Sequence, residues 1–161
     1  MPRFLFKSAA ATKKFAAQLA KKIISNKSNF QRRTATIVAL VGDLGAGKTT
    51  FVQGFARALG IKGRVISPTF LIFRVYRIPD LKSSRVLRPA SYIQRFYHVD
   101  AYRLHSPKEI LALGFKKILA NPENIVLIEW ADKIKKILQK NTLWINFTHG
   151  QKEKHRYIDI S

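Results

Sequence analysis

Apolar residues along this chain recur with two periods, and the switching between them predicts alternating helices and strands. Phe15, Leu19 and Ile23 recur at helical spacing and predict a first helix over residues 9–24, packed on a sheet. The run Thr36-Ile-Val-Ala-Leu-Val41 is a short apolar run with β-branched residues, as a buried strand should be. Helical spacing returns with Phe51, Val52, Phe55 and Leu59 over residues 50–59, and Gly60 stops it. Val65 and Ile66 read as a strand end that breaks into a turn at Pro68. Residues 70–78 and 92–99 read as two strands of a long hairpin. Between them, residues 79–90 carry Lys82, Arg85 and Arg88 with Ser and Pro, and read as a basic loop.

The second half follows the same logic. Ser106-Pro107-Lys108-Glu109 is a helix start: Ser as N-cap, Pro at the first position, and Glu closing a capping box. That helix is expected to run to about Leu113 and stop at Gly114, with a short helix over 116–119 after it. Residues 124–128 predict a buried strand ending in Glu129-Trp130. Residues 131–139 predict an amphipathic helix. Residues 143–147 and 155–160 predict two closing strands, antiparallel across a turn at Gly150. No internal repeat or second domain is evident, so residues 1–161 read as one domain.

The composition narrows the class. Hydrophobic residues make up 47%, enough for a real core, yet no apolar run approaches the roughly 18–20 residues of a membrane span. The absence of cysteine excludes disulfides, thiolate metal sites and cysteine nucleophiles, and fits a cytoplasmic protein. Lys and Arg number 30 against 9 Asp and Glu, a formal net charge of +21. Such a surface attracts polyanions, or it reflects a basic proteome; charge alone does not choose. The first 33 residues hold nine Lys/Arg and no acid. A transit peptide is one reading of such a start, but it is Lys-rich rather than Arg-rich, and an integral helix is preferred.

The strongest chemical signal lies between the predicted strand at 36–41 and the predicted helix at 50–59. Residues Gly42, Asp43, Leu44, Gly45, Ala46, Gly47, Lys48 and Thr49 spell Gly-x-x-x-x-Gly-Lys-Thr, a phosphate-binding P-loop. Its glycines let backbone N–H groups converge on phosphate oxygens, and the helix N-terminus that follows faces the same anion. Lys48 is expected to reach the terminal phosphates, and the Thr49 hydroxyl to ligate Mg²⁺, with Thr50 continuing the helix start. This context predicts a P-loop NTPase-like α/β domain: a mixed, mostly parallel sheet flanked by helices, with antiparallel C-terminal strands.

Phosphate charge and a metal require carboxylates nearby. Glu129 ends an apolar run, where an acid at the carboxyl end of a core strand beside the P-loop strand would meet Mg²⁺. Asp100 follows the strand Phe96-Tyr97-His98-Val99 and is the second candidate, as general base or as support for the metal. His98 reads as a core residue rather than a catalytic one. Asp43 sits within the loop, where a carboxylate needs a cation or a neighbouring strand. Trp130 reads either as a neighbour of the nucleotide or as core.

Taken together, the segments GDLGAGKTTF at 42–51, Ser67-Pro68-Thr69, Tyr97-His98-Val99-Asp100-Ala101-Tyr102-Arg103-Leu104, the helix end at 109–114 and Ile128-Glu129-Trp130 resemble the TsaE family, with Ser8 and Thr12 in place on the opening helix. The resemblance runs from about residue 8 to 160. It implies an ATPase of tRNA threonylcarbamoyladenosine biosynthesis that works with TsaD and TsaB and uses ATP and Mg²⁺. In that family TsaD transfers the threonylcarbamoyl group to tRNA, and ATP hydrolysis by TsaE resets the TsaB–TsaD complex. The resemblance assigns phosphate binding to Lys48, Mg²⁺ to Thr49 and Glu129, support of hydrolysis to Asp100, and a place by the nucleotide to Trp130. Ser67 and Thr69 would form a switch-like loop that reports nucleotide state. The departure from the family lies at residues 74–95, a longer hairpin with six Lys/Arg, which reads as a tRNA contact or as a solvated loop.

Two rival functions use the same residues differently. A nucleotide or small-molecule kinase would clamp the transferred phosphoryl with Arg74, Arg77, Arg85 and Arg88. A non-catalytic basic RNA-binding module would explain the charge but leave the P-loop and Glu129 idle.

Overall fold

A computed structural model describes residues 3–26, 32–68, 70–79 and 93–161. Thr69 and most of the basic loop between the hairpin strands, residues 80–92, lie outside the described residues.

The apolar run after the first helix becomes the axis of the molecule. Strand β2 (Thr36–Gly42) pairs in parallel with β5 (Asn124–Glu129) on one side and with β6 (Leu143–His149) on the other. Beyond β5 lies β4 (Arg95–Asp100), also parallel, and then β3 (Phe73–Arg77), antiparallel to β4. Beyond β6 lie β7 (Arg156–Ile160) and β1 (Arg3–Phe6), each antiparallel to its neighbour. The described strands form one seven-stranded sheet in the order β1-β7-β6-β2-β5-β4-β3. The sheet is parallel at its centre and antiparallel at both edges, the mixed α/β architecture the periodicity predicts.

Side-chain alternation on β2 and β5 builds a core on each face. Val38, Leu40, Ile125 and Leu127 meet α1 (Ala9–Ser25) and α2 (Lys48–Ala58). Ile37, Ala39, Val126 and Ile128 meet α3 (Pro107–Ala112), α4 (Phe115–Ala120) and the 3-10 helix Ala131–Ile137. On the first face Phe51 is the hub, with ring centroids 6.1 Å from Phe15, 6.2 Å from Phe55 and 5.7 Å from Phe147. Truncating a ring this buried costs about 3–5 kcal/mol, so these phenylalanines fix where α2 sits on the sheet. Helix α1 crosses α2 in near-contact: a Cβ on Gly54 would lie 2.5 Å from the carbonyl oxygen of Lys13.

The helix starts follow their sequence signals. Ser8 caps α1, its Oγ accepting from Ala11 N at 3.2 Å. At α3 the capping box is complete, with Glu109 accepting from Ser106 N at 2.7 Å and Ser106 Oγ accepting from Lys108 N at 3.2 Å.

Two expectations change, and one strand was not foreseen. Val65 and Ile66 form no strand; Val65 is buried, and its carbonyl accepts from the side chain of Gln53 on α2 rather than from a sheet neighbour. The stretch after Trp130 is not an α-helix to Gln139 but a 3-10 helix ending at Ile137, with non-helical dihedrals at Ile134. It starts from a left-handed residue without a side-chain cap, so the regular α-helical ladder is never set up. Strand β1 was not legible, because four residues carry too little alternation; its partner β7, not its own pattern, makes it a strand.

Candidate active site

The P-loop forms one wall of a cleft. At the end of β2, Gly42 has φ 137°, and a Cβ there would lie 2.2 Å from the carbonyl oxygen of Phe147 on β6. Only glycine lets β6 lie alongside the loop at this point. The loop closes on itself where Ala46 N donates to Asp43 O at 3.2 Å, and fully buried Ala46 anchors it. Gly47, left-handed at φ 102°, then opens α2 with no side chain capping the helix. First-turn N–H groups without a capping side chain are suited to an anion.

Lys48 is only 4% exposed. Its ammonium donates to Gly42 O at 2.6 Å and to Asp43 O at 2.8 Å, and lies 3.8 Å from the centroid of the Trp130 ring. Burial pushes its pKa below the ordinary lysine value, while Glu129, Asp100, Asp43 and Asp132 pull the other way. The described hydrogen bonds of Lys48 go to backbone carbonyls rather than to carboxylates, so its positive charge still faces the cleft.

The other wall comes from the carboxyl ends of β4 and β5. In the ladder Leu40 pairs with Glu129 and Glu129 with Asp100, so the two acids stand at one level on adjacent strands. Both are buried. Thr49 Oγ1 donates to Glu129 Oε2 at 2.8 Å, and the other carboxylate oxygen, Oε1, lies 2.8 Å from His98 Nε2. His98 precedes Asp100 by two positions on β4, so both side chains emerge on the same sheet face. Asp100 accepts from Tyr102 N at 2.9 Å through Oδ1, and from the Ser67 hydroxyl through Oδ2. Trp130 is left-handed at φ 58°, a costly backbone for a bulky residue, and its ring lies 5.0 Å from that of Tyr102.

The cleft holds about 340 Å³. Leu44, Gly45, Gly47, Lys48, Thr49 and Thr50 line it from the P-loop side. Ser67, Asp100, Tyr102, Glu129 and Trp130 line it from the other. Of the residues singled out from sequence, Gly42, Asp43 and Ala46 do not line the cleft; they shape the loop behind it. Thr69 lies outside the described residues, so half of the proposed Ser67–Thr69 switch has no described geometry. Sequence reading missed Tyr102 as a cleft residue and the bond from His98 to Glu129. The signal for the second was present: a period of two from Asp100 on a strand that carries an acid.

The donor set suits a hard divalent cation. Thr49 and Glu129 offer oxygen ligands within hydrogen-bond distance of each other at the start of α2. Among the described residues no three His, Cys, Asp or Glu side chains form a protein-only metal cage. Mg²⁺ needs none, since it is held by one or two protein oxygens together with waters and substrate phosphates.

Comparison with known proteins gives the family and the fold. The family model described as "Threonylcarbamoyl adenosine biosynthesis protein TsaE" matches residues 6–158. The tRNA threonylcarbamoyladenosine biosynthesis protein TsaE of Rickettsia typhi is 35% identical over 140 residues, 86% of this chain and 81% of that protein. The protein of the same name from Nostoc is 37% identical over 134 residues, 78% of this chain and 70% of that protein. Among solved structures, Bacillus subtilis YdiB superposes with a TM-score of 0.67 at 27% identity, covering 98% of this chain and 82% of that one.

Proposed function

This chain belongs to the TsaE family of tRNA threonylcarbamoyladenosine biosynthesis, and on that premise we propose that it is a Mg²⁺-dependent ATPase of the cytoplasm that resets a TsaB–TsaD complex between rounds of tRNA modification. The observation that carries the reading is the Thr49–Glu129 hydrogen bond at 2.8 Å beside buried Lys48, in one cleft at the N-terminus of α2. Phosphates would be held by the loop around Gly45 and Gly47, by Lys48 and by the helix start at Thr49 and Thr50. Mg²⁺ held by Thr49 and Glu129 would neutralise phosphate charge. His98 holds one oxygen of Glu129, so the other stays aimed at Thr49. Asp100, positioned by Ser67 and Tyr102, would orient the attacking water. Trp130 closes the cleft over Lys48.

The basic hairpin supports a polyanionic partner, here tRNA. Its described part sets Arg77 directly opposite Arg95 on neighbouring strands, a like-charge pair that a bound phosphate would relieve.

The test is ATP hydrolysis by the purified protein with Mg²⁺, alone and with TsaB, TsaD and tRNA. Stimulation by TsaB and TsaD, abolished by Lys48→Ala, is expected. Turnover that depends instead on a small-molecule phosphoryl acceptor would make the protein a kinase. Full activity in Lys48→Ala would remove the cleft from the reaction.

A further inference from the structure

A second cavity lies away from the nucleotide cleft, where α1, α2 and the loop after α2 meet. Among the described residues, this groove of about 1190 Å³ is bordered by six cations: Lys13, Lys14 and Lys21 on α1, Arg57 on α2, and Lys62 and Arg64 on the loop. All six are exposed. Among the described residues the ion pairs are Arg3–Asp159 and His98–Glu129, and neither involves the groove.

Of the chain's nine acids, none among the described residues lines this groove. Residues 1–42 and 44–79 contain none of them, and both helices and the loop lie in those stretches. Lys14 and Lys21 stand two helical turns apart, about 10.5 Å along α1. The loop cations are held in place. Ile61 and Val65 are buried, Ile61 N donates to Ala56 O at 3.2 Å, and Gln53 donates to Val65 O at 3.2 Å. Lys62 and Arg64 are therefore presented from a pinned loop, which lowers the ordering cost of a contact.

We propose that this groove binds the phosphodiester backbone of a folded, double-helical RNA. Its chemistry argues for backbone rather than bases or protein. Among the described residues the groove has no aromatic side chain on which a base could stack, as single-strand binding uses. Among the described residues its large apolar lining, Ile61 and Val65, is buried, so it offers no exposed large apolar or aromatic anchor of the kind around which protein interfaces are built. Cations on rigid elements read a phosphate backbone without sequence preference. That the RNA is tRNA rests on the proposed function; affinity for duplex backbone does not.

The test is fluorescence anisotropy with labelled tRNA, an unrelated RNA duplex and a single strand, across a salt series. Three full-length proteins are compared. One is the wild type. The second is Lys14→Ala/Arg57→Ala/Arg64→Ala in the groove. The third is Lys116→Ala/Lys117→Ala/Lys136→Ala, which removes equal charge from exposed positions on the opposite face of the sheet. The groove variant is expected to lose tenfold or more in affinity for both tRNA and duplex. Its log–log salt slope should fall by about three, one for each phosphate contact removed. The opposite-face variant should stay within about twofold of wild type. An unchanged Tm in thermal unfolding shows that each variant is folded.

Equal losses in both triple variants would mean that only total charge matters, and would overturn the proposal. So would no loss in the groove variant, or no RNA binding by the wild type. If the groove variant instead kept RNA affinity but lost TsaB–TsaD, the surface would belong to a protein partner and the proposal would fail. ATP turnover in Lys48→Ala tests the ATPase reading separately, so the two can fail independently.

Discussion

The two walls of the nucleotide cleft are built by opposite means. The P-loop wall is one unbroken stretch, 42–50, and it works through backbone: left-handed glycines, carbonyls that hold Lys48, and the uncapped start of α2. The acidic wall is assembled from three separate places in the chain and works through side chains: Ser67, the end of β4 and the end of β5. A backbone wall tolerates many side chains but few conformations. A side-chain wall tolerates conformational slack but depends on each hydrogen-bonded partner. The first should therefore fail by misfolding and the second by losing chemistry while the fold survives.

Gly42→Ala should break the comparison most severely. The new Cβ would meet the Phe147 carbonyl at 2.2 Å, backbone against backbone, at a φ that disfavours any side chain. A loss of about 3 kcal/mol or more is expected, read as a large fall in Tm by thermal unfolding. Gly45→Ala is its internal control. There the nearest atom is His149 Cε1 at 3.9 Å, so only the left-handed backbone is penalised, by about 1 kcal/mol. Equal Tm values for the two would show that β6 can yield, and the wall would not be conformationally strict.

Glu129→Gln should do the reverse. It keeps the shape and can keep hydrogen bonds to Thr49 and His98 but removes the charge, so the protein should fold. Partner-stimulated ATP turnover is expected to fall about 100-fold or more, with nucleotide affinity changed only a few-fold. Unchanged turnover would take Glu129 out of the reaction.

His98→Ala probes how the acidic wall is held. The buried Oε1 of Glu129 would lose its described partner, at a cost of about 1–3 kcal/mol before any cavity effect. His98→Gln, which can still donate a hydrogen bond, should recover part of both stability and turnover. No difference between the two variants would mean that His98 only fills space.

The smallest effect is expected at Ser67→Ala. Asp100 keeps its bond from Tyr102 N, so about 1 kcal/mol and a few-fold change in turnover are expected. A collapse of activity to the level of Glu129→Gln would show that the loop at Ser67 is as necessary as Glu129.

The asymmetry between the walls also explains what could be read in advance. The P-loop, the strand before it and the helix after it were legible because each is a local pattern: glycine spacing, a β-branched run, a helical period. Glu129 was legible because an acid closing a buried run is conspicuous, and the capping box at Ser106 because its three-residue spacing is local. The absence of a strand at Val65 was not legible. Two apolar residues suggest burial, which Val65 meets and Ile66 does not, and they say nothing of hydrogen bonding to a sheet. Strand β1 exists only because β7 pairs with it.

By itself, then, the sequence determined the order of the helices and strands apart from β1, the misread segment at Val65 and the 3-10 helix after Trp130, together with the glycine-rich P-loop and the family to which the chain belongs. Short-range spacing carries that information, and it survives without knowing which segments meet. Only the tertiary structure decided that β4 and β5 set Asp100 and Glu129 at one level, that His98 holds Glu129 against Thr49, and that six cations border one groove. Those are contacts between residues tens of positions apart. Their geometry is fixed by strand register and helix packing, and those depend on the whole core closing at once.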